Sequence, residues 1–232
     1  WVPLAMSGYH IREAGSTAVQ EIAFTFANAR EYLDRALLRG VSVDAVAPTL
    51  FTFLSSNIDF LPEVAKFRAA RRVWAKLMRE KYQTKNPASE KLRIFAFTAG
   101  SSLTAQQSMN NVVRTSIEMM AAALGGIQTM HVSAFDEALG VPTEEAATLA
   151  LRTQQVVAFE TGILNTADPL AGSYELERLT DSLESDIWKL LESIEKRGGA
   201  LECVNNGYFV NEISENAYQL TAAIESGVKK VV

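Results

Sequence analysis

Four times along this sequence a short apolar run hands over to a long stretch of helical periodicity, and no other feature limits the fold as much. Strand and long helix in alternation is the pattern of parallel βαβ units, because a parallel neighbour can be reached only through a crossover. Val2–Met6 is the first apolar run. From Thr17 the residues Ile22, Phe26, Ala29, Leu33 and Leu37 recur at helical spacing as far as Gly40, a helix-ending glycine. Ala45 to Phe53 reads as a second buried strand, although Pro48 has no N–H to give to a ladder. A second helix is predicted over Phe60 to Tyr82, with Val64, Phe67, Trp74 and Leu77 on one face. Leu92–Thr98 reads as the third strand, and the helix after it carries Val113, Ile117, Met120 and Leu124. Ile127 to Ala134 reads as the fourth strand. Pro142-Thr143-Glu144-Glu145 then opens a fourth helix, with Thr143 as its N-cap.

Four βα units are half of an eight-stranded (β/α)8 TIM barrel, whose chemistry gathers at the C-terminal ends of the strands. Beyond Asp168-Pro169-Leu170 the alternation stops. Two helical patterns remain, one through Leu179, Leu183, Ile187, Leu190 and Ile194, the other through Ile213, Ala217, Leu220 and Ile224. The expected organisation is α/β: half a barrel over residues 1–165 and a C-terminal helical extension over 166–232. The chain starts at Trp1 rather than Met and falls at once onto a strand-like run, so it reads as a piece of something longer.

A net charge of −5 argues against a nucleic-acid footprint, which needs a basic surface. The single cysteine cannot form an internal disulfide and fits a reducing, cytoplasmic compartment. No apolar run reaches the roughly 18 residues that would suggest a membrane span. The most basic stretch is the second helix, with Lys66, Arg68, Arg71, Arg72, Lys76 and Arg79. It reads first as a solvated outer face balanced by Glu63 and Glu80, and alternatively as a contact to an anionic ligand or partner. Neither a P-loop nor a dinucleotide glycine fingerprint nor a serine-hydrolase elbow occurs.

The candidate site is Ser7-Gly8-Tyr9-His10-Ile11-Arg12-Glu13-Ala14-Gly15, where the first strand passes to its helix. It sets an imidazole, a phenol and a carboxylate between two glycines, and His10 is one of two histidines in the chain. By itself the pattern also fits a packed structural histidine. A metal pair of His10 and Glu13 has no third ligand at a suitable spacing, since Cys203 is remote in sequence, so no metal is expected.

Six ordered blocks carry more information: SGYHIREAG from Ser7, EVAKFRAARRVWAKL from Glu63, SLTAQQSMNNVVRT from Ser102, DEALGVPTEEA from Asp136, LRTQQVVAFETG from Leu151 and DPLAGSYELE from Asp168. Together they resemble the large-subunit barrel of the adenosylcobalamin-dependent acyl-CoA mutases, the methylmalonyl-CoA mutase family, nearest its isobutyryl-CoA mutase-like members. The resemblance implies the second half of a TIM barrel and a radical 1,2-rearrangement of a short acyl-CoA. Its substrate would be of the methylmalonyl/succinyl or isobutyryl/butyryl type. It implies as partners an N-terminal half-barrel and a cobalamin-binding subunit or domain, whose D-x-H-x-x-G signature this sequence lacks. His10 matches the histidine that hydrogen-bonds the thioester carbonyl and so binds substrate as well as serving catalysis, with Tyr9 beside it. Glu13 and Gly100 match contacts to the corrin, and Glu137 the carboxylate against the adenosyl ribose.

Several positions depart from the family pattern. Thr49 stands where an arginine that pairs with CoA is usual, and Phe51 where a serine is. Phe95 and Phe97 replace His and Gln, Ser133 replaces Asn, and Gly140-Val141 replace a small residue and a leucine. These changes leave two further readings open: a non-catalytic scaffold that keeps the fold and partner surface, and an unrelated barrel chemistry with His10 as acid or base.

Overall fold

The computed structural model describes residues 4–232. Strand β1 (Ala5–Ser7) leads through the short helix α1 (Tyr9–Glu13) to the long α2 (Ala18–Leu38). Thr17 opens α2 with a capping box. Its hydroxyl accepts from Gln20 N at 3.2 Å, and the Gln20 side chain accepts from Thr17 N at 3.0 Å, so two orphan amides are satisfied reciprocally. Helix α3 (Val43–Val46) and a 3₁₀ turn at Ala47–Thr49 precede β2 (Phe51–Ser56).

The strand expected from Ala45 thus begins at Phe51 instead. Ser42 caps α3 at Ala45 N, and Pro48, lacking an N–H, sits in the turn rather than in a ladder. Next come α4 (Phe60–Lys76), continued as a π turn over Leu77–Lys81, β3 (Ile94–Thr98) and α5 (Asn111–Leu124). Strand β4 (Thr129–His131) is shorter than the expected Ile127–Ala134, and α6 (Glu144–Glu160) follows, with Thr143 Oγ1 accepting from Ala146 N. Helices α7 (Tyr174–Lys196), α8 (Gly199–Asn205) and α9 (Tyr208–Glu225) complete the chain. Val2 and Pro3 of the first apolar run lie outside the described residues.

The four strands form one parallel sheet in the order β1-β2-β3-β4, which is an α/β fold in accord with part of a TIM barrel. Ser7 pairs with Phe53, Phe53 with Phe95, and Phe95 with Thr129; one row on, Ser55 pairs with Phe97 and Phe97 with His131. Because side chains alternate, Met6, Thr52, Leu54, Ile94, Ala96 and Thr98 turn together to the helical side and are buried. Phe51, Phe53, Phe95 and Phe97 turn to the opposite, open side and are half-buried.

Helix α7 lies across both α2 and α4. That second layer explains why α4 is buried on nearly all sides, from Val64 through Trp74. It also corrects the reading of the basic stretch as a solvated face. Lys66 is wholly buried, and Arg68, Arg72 and Lys76 pair with Asp168, Glu177, Asp181 and Glu184 at the start of and along α7. Helix α5 departs from expectation as well. It buries Asn111, Thr115, Glu118, Met119 and Ala122, while Val113 is exposed. Its polar side turns inward because loop backbone there needs partners: Asn111 Nδ2 donates to Thr104 O at 2.9 Å and Phe135 O at 2.8 Å.

Candidate functional site

Everything of interest stands at the C-terminal ends of the strands. Gly8 allows the chain to turn there: a Cβ at this position would lie 2.5 Å from Thr25 Oγ1 and 2.9 Å from Leu54 Cδ2. With none, α1 seats against α2 and brings Tyr9 and His10 over the open face of the sheet. The Tyr9 ring stacks on Phe53 with centroids 4.7 Å apart, and His10 meets the same ring edge-on at 5.7 Å. Phe53 continues into Phe95 at 5.2 Å and Phe97 at 4.9 Å, and Phe97 into His131 at 4.3 Å. The result is an aromatic floor running across three strands.

Beside this floor Glu13 accepts from Ser101 N at 2.8 Å and from Ser101 Oγ at 3.1 Å, which ties α1 to the loop after β3. Gly100 lies directly under it. A Cβ on Gly100 would stand 3.1 Å from Glu13 Oε2 and 3.8 Å from the Tyr9 hydroxyl. Glu137 is drawn back onto its own turn, accepting from Ala134 N at 2.7 Å. Burial, helped by the charges of Glu13 and Glu137, pushes the Tyr9 phenol up to about 12, so it stays a hydrogen-bond donor across the physiological range. Burial also raises Glu13, and the Ser101 donors oppose that rise. Tyr9, His10, Glu13 and Gly100 are therefore gathered at one place, with Glu137 close enough for its charge to reach the phenol.

A cavity of about 1470 Å³ opens next to Glu13, bounded by Arg12, Asp59, Ser102 and Arg114 and by Leu220 of α9. Of the departing positions, Phe95 and Phe97 belong to the aromatic floor and Phe51 shares its side of the sheet. Ser133 is buried and structural, its N–H donating to Thr98 Oγ1 at 2.8 Å and its hydroxyl to Thr98 O at 3.2 Å. Thr49 is spent on its own turn, donating to Val46 O at 2.7 Å. No cluster of three or more metal-ligating side chains occurs among the described residues.

The family model described as methylmalonyl-CoA mutase matches residues 1–232, the whole of this sequence. The chain belongs to the methylmalonyl-CoA mutase family. It is 46% identical over 230 residues to the 2-hydroxyisobutanoyl-CoA mutase large subunit of Aquincola tertiaricarbonis, an alignment covering 99% of this chain and 41% of that protein. Against the methylmalonyl-CoA mutase of Cereibacter sphaeroides it is 44% identical over 99% of this chain and 32% of the relative. Against the mitochondrial methylmalonyl-CoA mutase of Homo sapiens it is 43% identical, over 99% and 30%. The chain thus spans between about a third and two fifths of the length of these mutases.

Two groups in this member of the mutase family escape a reading of its sequence. Lys66 Nζ is enclosed by Glu21 Oε2 at 2.8 Å, Ser55 O at 2.7 Å and Glu63, while Ser55 N donates to Glu21 Oε1 at 2.7 Å. Arg12 reaches the same cluster, 3.9 Å from Glu21 and 3.6 Å from Glu63, so α1 is tied electrostatically to α2 and α4. Burial pushes Glu21 up and Lys66 offsets only part of it. Glu63 is equally buried, yet Lys66 and Arg12 together hold it below the usual carboxylate range. The second group is Glu118, whose buried carboxyl oxygens have no hydrogen-bond partner among the described residues. In sequence Lys66 and Glu63 read as part of a solvated basic face and nothing marked Glu118, because an acid or a lysine within a helical pattern carries no sign of burial.

Proposed function

We propose that this chain is the substrate-facing half of the barrel of an adenosylcobalamin-dependent acyl-CoA mutase, an isomerase acting on a short acyl-CoA. The observation that carries this reading is the placement of His10 and Tyr9 on an aromatic floor at the C-terminal mouth of a parallel sheet, next to the cavity walled by Glu13. A half-barrel over residues 1–165 with its helical extension over 166–232 is completed by an N-terminal half-barrel across the open face and by a cobalamin-binding subunit or domain.

The residues fit the cofactor. Gly100 presents bare backbone where a side chain would press on Glu13 and the Tyr9 hydroxyl, and Glu13 also walls a cavity of about 1470 Å³ that has room for a large group. Glu13, Gly100 and Glu137 are the residues that would hold it. When bound, adenosylcobalamin supplies the radical chemistry that a 1,2-shift of a thioester requires.

The chain's own residues position, shield and polarise. The His10 imidazole donates a hydrogen bond to the thioester oxygen, where negative charge gathers as the acyl group migrates. Tyr9, stacked on Phe53, fixes the neighbouring wall and keeps its phenolic proton. Phe53, Phe95 and Phe97 keep water from the reacting carbons, which protects a reactive intermediate and strengthens the His10 hydrogen bond.

The test uses the full-length polypeptides assembled with adenosylcobalamin and short acyl-CoAs. Substrate-triggered cobalt(II) absorbance is expected, and His10→Ala should slow rearrangement by about 100-fold or more, the usual loss for an oxyanion donor, with folding unchanged. Equal turnover by the variant removes His10 from the mechanism. Phe95 and Phe97, which close onto Phe53 at 5.2 and 4.9 Å, favour one alternative, a non-catalytic scaffold whose chamber is filled by its own rings. Absence of cobalt(II) with every short acyl-CoA selects that alternative.

A further inference from the structure

The chain has only two histidines, and the fold turns both toward one wall. His10 meets Phe53 from the β1 side at 5.7 Å; His131, closing β4, lies against Phe97 at 4.3 Å with the ring planes 36° apart. Phe53 and Phe97 are themselves 4.9 Å apart, so the two imidazoles bracket one continuous aromatic floor. Strand register places His131 in the row of Ser55 and Phe97, the last row on this face of the sheet before the loops that carry Gly100 and Glu137. His131 is exposed on this face, and its ring nitrogens have no hydrogen-bond partner among the described residues. Elsewhere along the strands the same face is Ala, Ser, Phe and Thr.

Such an arrangement discriminates by chemistry. Phenyl faces take up carbon and exclude water without regard to polar substituents. A single imidazole at the far end can donate or accept one hydrogen bond, and in a dry site that bond is strong when made and costly when left open. A guest held at one end by His10 and lying across Phe53 and Phe97 directs its substituents toward His131.

On the strength of the mutase reading above, we propose that His131 is a specificity-determining residue: it hydrogen-bonds a second oxygen function, a hydroxyl or a carboxylate, on the acyl group whose thioester oxygen faces His10. A site built to satisfy a substrate oxygen rejects the analogue that lacks it, because the imidazole is then left unpaired once the N-terminal half-barrel covers this exposed face and shuts out water.

The test compares the assembled holoenzyme with its His131→Phe and His131→Asn variants on 2-hydroxyisobutyryl-CoA, methylmalonyl-CoA and isobutyryl-CoA. It reads kcat/KM and, separately, the binding of the matching unreactive CoA thioethers. Wild type is expected to prefer an oxygenated acyl group, and whichever of the two it prefers identifies the oxygen function. His131→Phe should cut that preference by about tenfold or more, through KM and thioether affinity rather than kcat, and His131→Asn should keep part of it. A wild-type preference for isobutyryl-CoA, or a preference unmoved in both variants, overturns the assignment. His10→Ala separates the two levels. If it slows all three substrates while the His131 variants change nothing, His131 alone loses its role. If wild type neither binds nor turns over any of them, the mutase reading falls and this assignment with it.

Discussion

Glu118 is the residue whose chemistry departs furthest from its ordinary behaviour. Burial pushes its carboxyl up to about 9, opposed by the nearby Ser102 side chain and Ala99 backbone, with Glu63 and Glu13 adding to the rise. Between the usual carboxylate range and that value, the unfolded chain has released a proton that the folded chain keeps. The folded state therefore binds more protons, and stability must fall as pH rises through this window. Glu118→Gln preserves the shape and removes the titration. The variant is expected to be more stable by on the order of 1–3 kcal/mol at pH 7, with a flatter stability profile between about pH 5 and 9. Urea unfolding at several pH values checks this. A profile as steep as that of wild type shows Glu118 to be ionised and paired in the fold.

Among the elements, α4 decides how the site is held. Its Lys66 neutralises Glu21 and Glu63, and the same cluster receives Arg12 from the turn that carries Tyr9 and His10. Charges so deeply buried add little net stability as a set, but removing one partner strands the others. Lys66→Met should cost about 3–5 kcal/mol. Restoring neutrality with Glu21→Gln, which leaves Glu63 paired with Arg12, should recover most of that loss, a coupling that a double-mutant cycle measures. Additive losses would mean that Lys66 and Glu21 act independently. The same helix shows the reach of pattern reading. Val64, Phe67, Trp74 and Leu77 were legible as its core face, whereas the ion pairing of Arg68, Arg72 and Lys76 required α7 and the turn before it, which arrive about a hundred residues later in the chain.

At the scale of the whole molecule, the open face of the sheet is the dominant feature. Phe51, Phe53, Phe95 and Phe97 are only half-buried, and among the described residues β1 and β4 each leave an unpaired edge. Apolar faces and bare strand edges of this kind drive association. The 232-residue chain on its own is expected to self-associate at micromolar concentrations and to bind a hydrophobic dye, and Phe53→Asp should reduce both. Sedimentation velocity distinguishes the outcomes, and a dye-silent monomer at all concentrations would contradict this description of the face.

The sequence by itself determined the alternation of strand and helix, the capping of α6 by Thr143, and the family, because these rest on short-range periodicity, local hydrogen bonds and ordered blocks of residues. It also marked the turn that carries Tyr9, His10 and Glu13. It misplaced the start of β2 and the inward side of α5, where turn chemistry and the needs of loop backbone outweigh apolar spacing. Only the tertiary structure decided that Lys66 is buried, that the Glu118 carboxyl is buried with no hydrogen-bond partner among the described residues, and that His131 shares a floor with His10. Each of those depends on residues from separate crossovers being brought into register by parallel strand pairing and helix packing, which no local window contains.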